Sequence, residues 1–440
     1  MEQAEVSRER LKSRLGFLML AAGSAVGLGN VWRFPFIVGK NGGAAFVLVY
    51  LAFLALLGFP LLCAELAIGR GAKRTLAAAL GELAPPRRRT FWRRFGSILA
   101  GGCFILMIYY TDVSGWLLKF AGDYARGAAP ALPGKAGSSA CMLAVVAIGA
   151  AVCFAGVVKG VERVTKVLMI SLLALLAALA ARALALPGAA EGLAFYLKPD
   201  WARFMEHPWS ATFDAMGQAF FTLSLGIGSM TVCGSYTGEN RSLVNETAWI
   251  IAIDTAVAIL AGLVIFPACA TYGVPYTSGP DLIFAALPKV FAQMSGGRAW
   301  GFLFFVFLAC AALTTVIAVF ECLIAGLMDS LGWRRLPATL AVGAGVAVLS
   351  LPCVLVDGVL AWEDFAVSQI WLPVGALAQG IFVVNGRIGW GWENFRREVS
   401  SGRGWRLPAI LKYHMAFGVP LLIIAVLVAG LLPFIQKAAS

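Results

Sequence analysis

Along the chain, apolar stretches alternate with short polar or basic connections. A helix rises about 1.5 Å per residue, so roughly 20 apolar residues cross a bilayer while satisfying every backbone group internally. Eleven stretches meet that length: 16–38, 44–69, 94–120, 139–157, 164–186, 212–236, 245–271, 299–328, 337–355, 364–385 and 409–433. They predict an all-α integral membrane protein with eleven transmembrane helices. The first stretch follows a basic segment, as a secretory leader does, but it runs on through Arg33 and Pro35 beyond any cleavage point.

Composition sharpens the picture. Of 440 residues, 60% are hydrophobic and 13% charged, with a mean hydropathy of +0.83; a soluble fold of this size carries about 25% charged residues. The net charge of +12 does not point to nucleic acid, because the basic residues sit in short clusters between apolar runs. With the N-terminus in the cytoplasm, 24 of the 35 lysines and arginines fall inside, which fixes that orientation and puts Ser440 outside. Nine cysteines without a CxxC pair and two histidines, His207 and His414, argue against disulfide scaffolds and metal centres. Neither HExxH nor GxSxG occurs, so no enzyme is expected. Richness in Ala, Leu, Gly and Arg suggests a bacterial inner membrane as the setting. Two external segments, 187–211 and 273–298, read as surface connections or as an outer lid.

Two spans are interrupted. The first contains Gly23, Gly27 and Gly29, followed by Asn30, Arg33 and Pro35, and the sixth contains Ser224, Gly226 and Gly228. Backbone freed at membrane depth survives only where it lines a cavity or holds an ion. A single glycine pair could equally serve close helix packing. The breaks open each of two possible five-helix units, the arrangement of an inverted-repeat transporter with its site at the midplane. The implied units are a cytoplasmic segment 1–15, repeats 16–186 and 212–385, and an eleventh helix 409–433.

The runs Arg14-Leu15-Gly16-Phe17, Gly23 through Pro35, Gly39 through Phe46 and Gln218 through Gly228 resemble the neurotransmitter:sodium symporter family, in particular its bacterial amino-acid transporters of the leucine-transporter type. The resemblance implies sodium-coupled uptake by alternating access, with proton coupling through Asp254 or Glu65 as the alternative. It implies two sodium ions, both held by oxygen, as a hard cation requires. One would meet the Ala25 carbonyl, Asn30, Thr222 and Asp254, and the other the carbonyls of Gly23, Val26 and Ala311 with the hydroxyls of Thr314 and Thr315. A helical Thr pair can also back-bond to its own carbonyls.

The substrate pocket implied by the family comprises Ser24, Ala25, Leu28, Gly29, Leu106, Tyr110, Phe221, Thr222, Ser224, Ile227, Thr315 and Val319. Tyr110 would meet the substrate carboxylate. Gly27 stands where monoamine carriers hold aspartate, so the substrate should bring its own carboxylate, and Leu106, Ile227 and Val319 predict a hydrophobic L-amino acid. Arg33 with Asp364 forms the outer gate, and Arg8 with Asp329, near Tyr236, the inner one. Glu65, Asp112 and Glu321 have no named partner and read as structural acids.

Chloride is not expected. Tyr50, Gln218 and Thr222 match most of the family's anion set, but its serine falls at Ala258, and Asp254 one turn earlier supplies negative charge. Three further departures are Leu11 where the family has Trp, Ile170 where many bacterial relatives have Pro, and a missing twelfth span. The expected partners are an amino acid and the bilayer, with no nucleic acid, and the oligomeric state is open.

Overall fold

The structure, a computed structural model, describes Leu11, residues 13–276 and 282–439, the side chains of 433–439 excepted. Among the described residues the chain is helical, with two isolated β-bridges, Gly43 to Pro199 and Arg241 to Arg403. The first span is broken into α1 (Arg14–Ala25) and α2 (Gly29–Lys40), bent by 50°. Then follow α3 (Ala44–Ala72), the short α4 (Leu76–Leu83), α5 (Pro86–Arg126), α6 (Lys135–Phe154) and α7 (Val157–Leu184). After two short external helices, α8 (Ala189–Leu197) and α9 (Trp201–Glu206), come α10 (Pro208–Thr222) and α11 (Ser229–Ser235). The chain continues through α12 (Leu243–Thr271), α13 (Leu282–Gln293), α14 (Gly297–Leu331), α15 (Arg335–Leu355), α16 (Val359–Val384), α17 (Trp392–Val399) and α18 (Leu411–Leu432).

Nine of these helices are long and apolar enough to cross a membrane, and the bent α1–α2 pair makes ten. The expected span 212–236 is instead two shorter helices around the non-helical stretch 223–228, so it does not register as one crossing by length. The long α14 packs against α5, α7 and α1, while α11 lies on α3.

Six turns within the described helices are widened to π geometry, and five of them end two residues before a proline: Gly29–Arg33 before Pro35, Leu54–Gly58 before Pro60, Leu282–Ala286 before Pro288, Ala366–Trp371 before Pro373 and His414–Gly418 before Pro420. Proline lacks the N–H for the regular bond and its ring crowds the carbonyl one turn back. One extra residue in the turn relieves the crowding.

The external segments cover one end of the bundle. Phe284 of α13 packs edge-on against Trp32 of α2 and against Trp116 and Phe120 of α5, with ring centroids 6.2, 5.5 and 5.3 Å apart. Phe195 of α8 stacks on Tyr276 at 4.4 Å. At the other end, the buried Arg70 of α3 binds Glu398 of α17 at 2.6 Å and donates to the Arg241 carbonyl at 2.8 Å, tying three connections together.

Candidate functional site

Both helix breaks leave backbone groups that need partners, and the partners come from side chains far away in sequence. The Gly29 carbonyl accepts from Gln218 Nε2 at 2.8 Å and the Ser24 carbonyl from Ser224 Oγ at 2.9 Å, so each broken helix serves the other. The Leu28 amide donates to the Tyr110 hydroxyl at 2.9 Å, and the Gly27 amide to Asn30 Oδ1 at 3.1 Å. Glu65 of α3, buried, accepts from the Gly226 and Gly228 amides at 3.2 and 2.7 Å and from Gln379 of α16 at 3.4 Å. Gly226 adopts φ +90°, and a Cβ there would stand 2.2 Å from the Leu372 carbonyl, so glycine is required twice over.

Beside the first break, Asp254 of α12 is fully buried. Its carboxylate accepts from Asn30 Nδ2 at 2.8 Å and from Thr222 Oγ1 at 3.0 and 3.1 Å, and among the described residues it has no ion pair. A buried carboxylate is costly unless a cation or a proton compensates it. A second cluster lies on α14. Thr314 Oγ1 is 2.8 Å from the Ala311 carbonyl and 3.3 Å from that of Val26, while Thr315 Oγ1 is 3.5 Å from the Gly23 carbonyl and 3.4 Å from that of Val26. Thr314 thus makes the local back-bond open to any helical Thr and also faces the end of α1. Hydroxyls, carbonyls and one carboxylate make both clusters suitable for a hard, oxygen-seeking cation such as sodium.

Between the breaks lies a cavity lined by Ala25, Gly29, Leu106, Tyr110, Phe221, Ser224, Ile227 and Thr315, all expected from the sequence, and also by Gly27 and Leu372. Its free space is about 10 Å3, room for roughly one water molecule. Ser24, Leu28 and Thr222 support the walls through the hydrogen bonds above, and Val319 is buried without lining the cavity. Leu372 was missed because nothing in its own neighbourhood marks it except the following Pro373.

On the external side, Arg33 Nε lies 3.9 Å from Asp364 Oδ2, with its guanidinium 5.0 Å over the Phe221 ring. Ser368 accepts from Arg33 Nη2 at 3.0 Å, and Tyr109 donates to Asp364 at 3.2 Å. On the opposite side, Arg8 lies outside the described residues. Asp329 accepts from the Thr75 amide at 2.7 Å and sits 3.6 Å from Arg74. Tyr236 donates to Glu321 at 2.6 Å, and Glu321 takes both Nη groups of Arg335 at 2.8 Å. Glu321, for which the sequence names no partner, therefore belongs to a forked ion pair.

A helix bundle in which two broken helices exchange backbone bonds around oxygen-rich clusters defines an ion-coupled membrane transporter, in which no bond is made or cut. Residues 8–123 and 134–439 match the model of the sodium:neurotransmitter symporter family. The chain belongs to this family. It is 35% identical to a sodium-dependent transporter of Bacillus subtilis, covering 84% of this chain and 86% of that protein, and 30% identical to one of Haemophilus influenzae over 96% and 98%. Its structure is similar to that of MhsT solved in complex with L-phenylalanine, with a TM-score of 0.85, 34% identity and coverage of 96% and 100%. The all-α fold with unwound first and sixth helices is thereby shared with a solved transporter.

Proposed function

We propose that this sodium-dependent transporter carries a hydrophobic L-amino acid, Leu, Met, Phe, Tyr or Trp, together with two sodium ions and without chloride. The observation that carries the reading is the cavity wall: Leu106, Phe221, Ile227 and Leu372 present no charge, while the Leu28 amide and Tyr110 hydroxyl offer a polar end. The complex of MhsT with L-phenylalanine supports it. In this reading the substrate carboxylate meets Tyr110 and the first sodium, held by Ala25, Asn30, Thr222 and Asp254. The second sodium is held by Gly23, Val26, Ala311, Thr314 and Thr315. Arg33 with Asp364 closes the outer path, and Arg8, Asp329 and Tyr236 the inner one. Residues 16–186 and 212–385 act as the two inverted repeats, in a bacterial inner membrane with the N-terminus in the cytoplasm.

A second reading, proton coupling, is favoured by the buried Asp254 carboxylate with no ion pair. Proteoliposomes separate the two. Accumulation of labelled leucine or phenylalanine driven by an imposed sodium gradient, and not by a proton gradient, is the expected result; the reverse selects the proton. Competition by all twenty amino acids tests the pocket, and preference for Lys, Asp or Gly would overturn the hydrophobic assignment. Reporter fusions to short truncations test the orientation.

A further inference from the structure

The most concentrated charge in the described structure lies at the start of α5. Within eight residues stand Arg87, Arg88, Arg89, Arg93 and Arg94, all exposed. None has an ion pair among the described residues, and the neighbouring Glu82 is engaged by Arg74 at 3.9 Å. A basic loop that only sets topology needs neither this density nor this placement.

The placement is fixed by the helix. Trp92 is buried, donates its indole N–H to the Ile388 carbonyl and packs edge-on to Phe382 at 4.7 Å. This anchors the turn and turns Phe91 and Ile98, 55% and 58% exposed, outward on the same face as Arg94. An exposed apolar stripe on a membrane-spanning helix faces acyl chains. At about 1.5 Å per residue, Arg88 and Arg89 lie only some 3–5 Å along the chain from Phe91, within a headgroup layer about 5–7 Å deep. Arg93 and Arg94, slightly deeper, reach back to it along their apolar stems. Guanidinium forks match phosphate geometry.

We propose that the 86–94 segment is a docking site for the phosphate headgroups of anionic phospholipids, whose acyl chains lie along Phe91 and Ile98. The full chain in mixed micelles of equal phosphatidylglycerol and phosphatidylcholine, read by native mass spectrometry, tests it. Wild type should retain phosphatidylglycerol in preference. The triple variant Arg87→Gln, Arg88→Gln, Arg89→Gln should lose that preference by about tenfold or more, since each basic group near an anionic surface contributes about fivefold. The triple lysine variant should keep most of it. A control removing the same charge at Arg397, Arg403 and Arg406 should change it little. Should the glutamine triple fail to fold, Arg94→Gln alone and a salt titration of wild type carry the test, with retention falling as salt rises. Equal retention of the two lipids by wild type, an unchanged triple variant, or an equal loss in the control would overturn the proposal. Displacement of the lipid by millimolar inorganic phosphate would show a soluble-anion site instead.

Discussion

Gly27 and Tyr110 approach so closely that a Cβ on residue 27 would stand 2.4 Å from the tyrosine hydroxyl and 2.5 Å from Thr315 Oγ1. That hydroxyl is the one that receives the Leu28 amide. Any side chain at 27 must push Tyr110 out of its place. Gly27→Ala should therefore lower amino-acid uptake by at least tenfold and weaken substrate binding, while Tyr110→Phe should weaken binding with the fold intact. Equilibrium binding of labelled leucine or phenylalanine to purified protein checks both, and wild-type affinity in Gly27→Ala would refute the geometric argument.

Asp254 should make transport independent of chloride. A carboxylate about 4 Å from a cation contributes roughly 4 kcal/mol at an effective dielectric of about 20. Replacing chloride with gluconate should leave uptake unchanged. Asp254→Asn should shift sodium activation to higher concentration, and adding Ala258→Ser to that variant should introduce chloride dependence. A several-fold loss of wild-type uptake without chloride contradicts the charge-substitution argument.

Arg33 and Asp364 should govern rate more than stability. At 3.9 Å and partly exposed, the pair is held by Ser368 and Tyr109 as well as by its own attraction, and such pairs contribute only about 0–1 kcal/mol to folding. Asp364→Asn should slow uptake several-fold at an unchanged melting temperature. An uptake rate equal to wild type rules out a gating role.

Glu65 should behave in the opposite way. Its two amide acceptor bonds hold the non-helical stretch of the sixth span, and leaving buried groups unpaired costs about 1–3 kcal/mol each. Glu65→Ala should lower thermal stability in detergent by about 2–6 kcal/mol, with Glu65→Gln in between. A melting curve that does not move would mean that those amides find other partners.

The broken helices were legible because glycine, serine and asparagine interrupt otherwise apolar runs, a local signal. Their supports were not. Glu65 reaches Gly228 across 163 positions and Gln379 reaches Glu65 across 314, and no local pattern encodes such meetings. The same holds for Arg335 with Glu321 and for Leu372 at the cavity wall. The span count was harder to read than the fold class, because the stretch at 212–236 has the composition of a crossing but folds as two short pieces. Gate residues were accessible as costly charges within spans, yet Ser368 and Tyr109, which hold Arg33 and Asp364, are uncharged and carry no such mark.

The widened turn at Ala366–Trp371 has a consequence for timing. It lies between Asp364, which faces Arg33 of the first broken helix, and Gln379, which faces Glu65 beneath the second. One extra residue rotates everything beyond it by about 100°. The wide turn before Pro373 therefore sets the angular offset between two contacts on a single rod, much as lobes are set on a camshaft. If Pro373→Ala lets the turn tighten, both contacts persist as residues but fall out of phase. Opening at one broken helix would then no longer be matched to closure at the other.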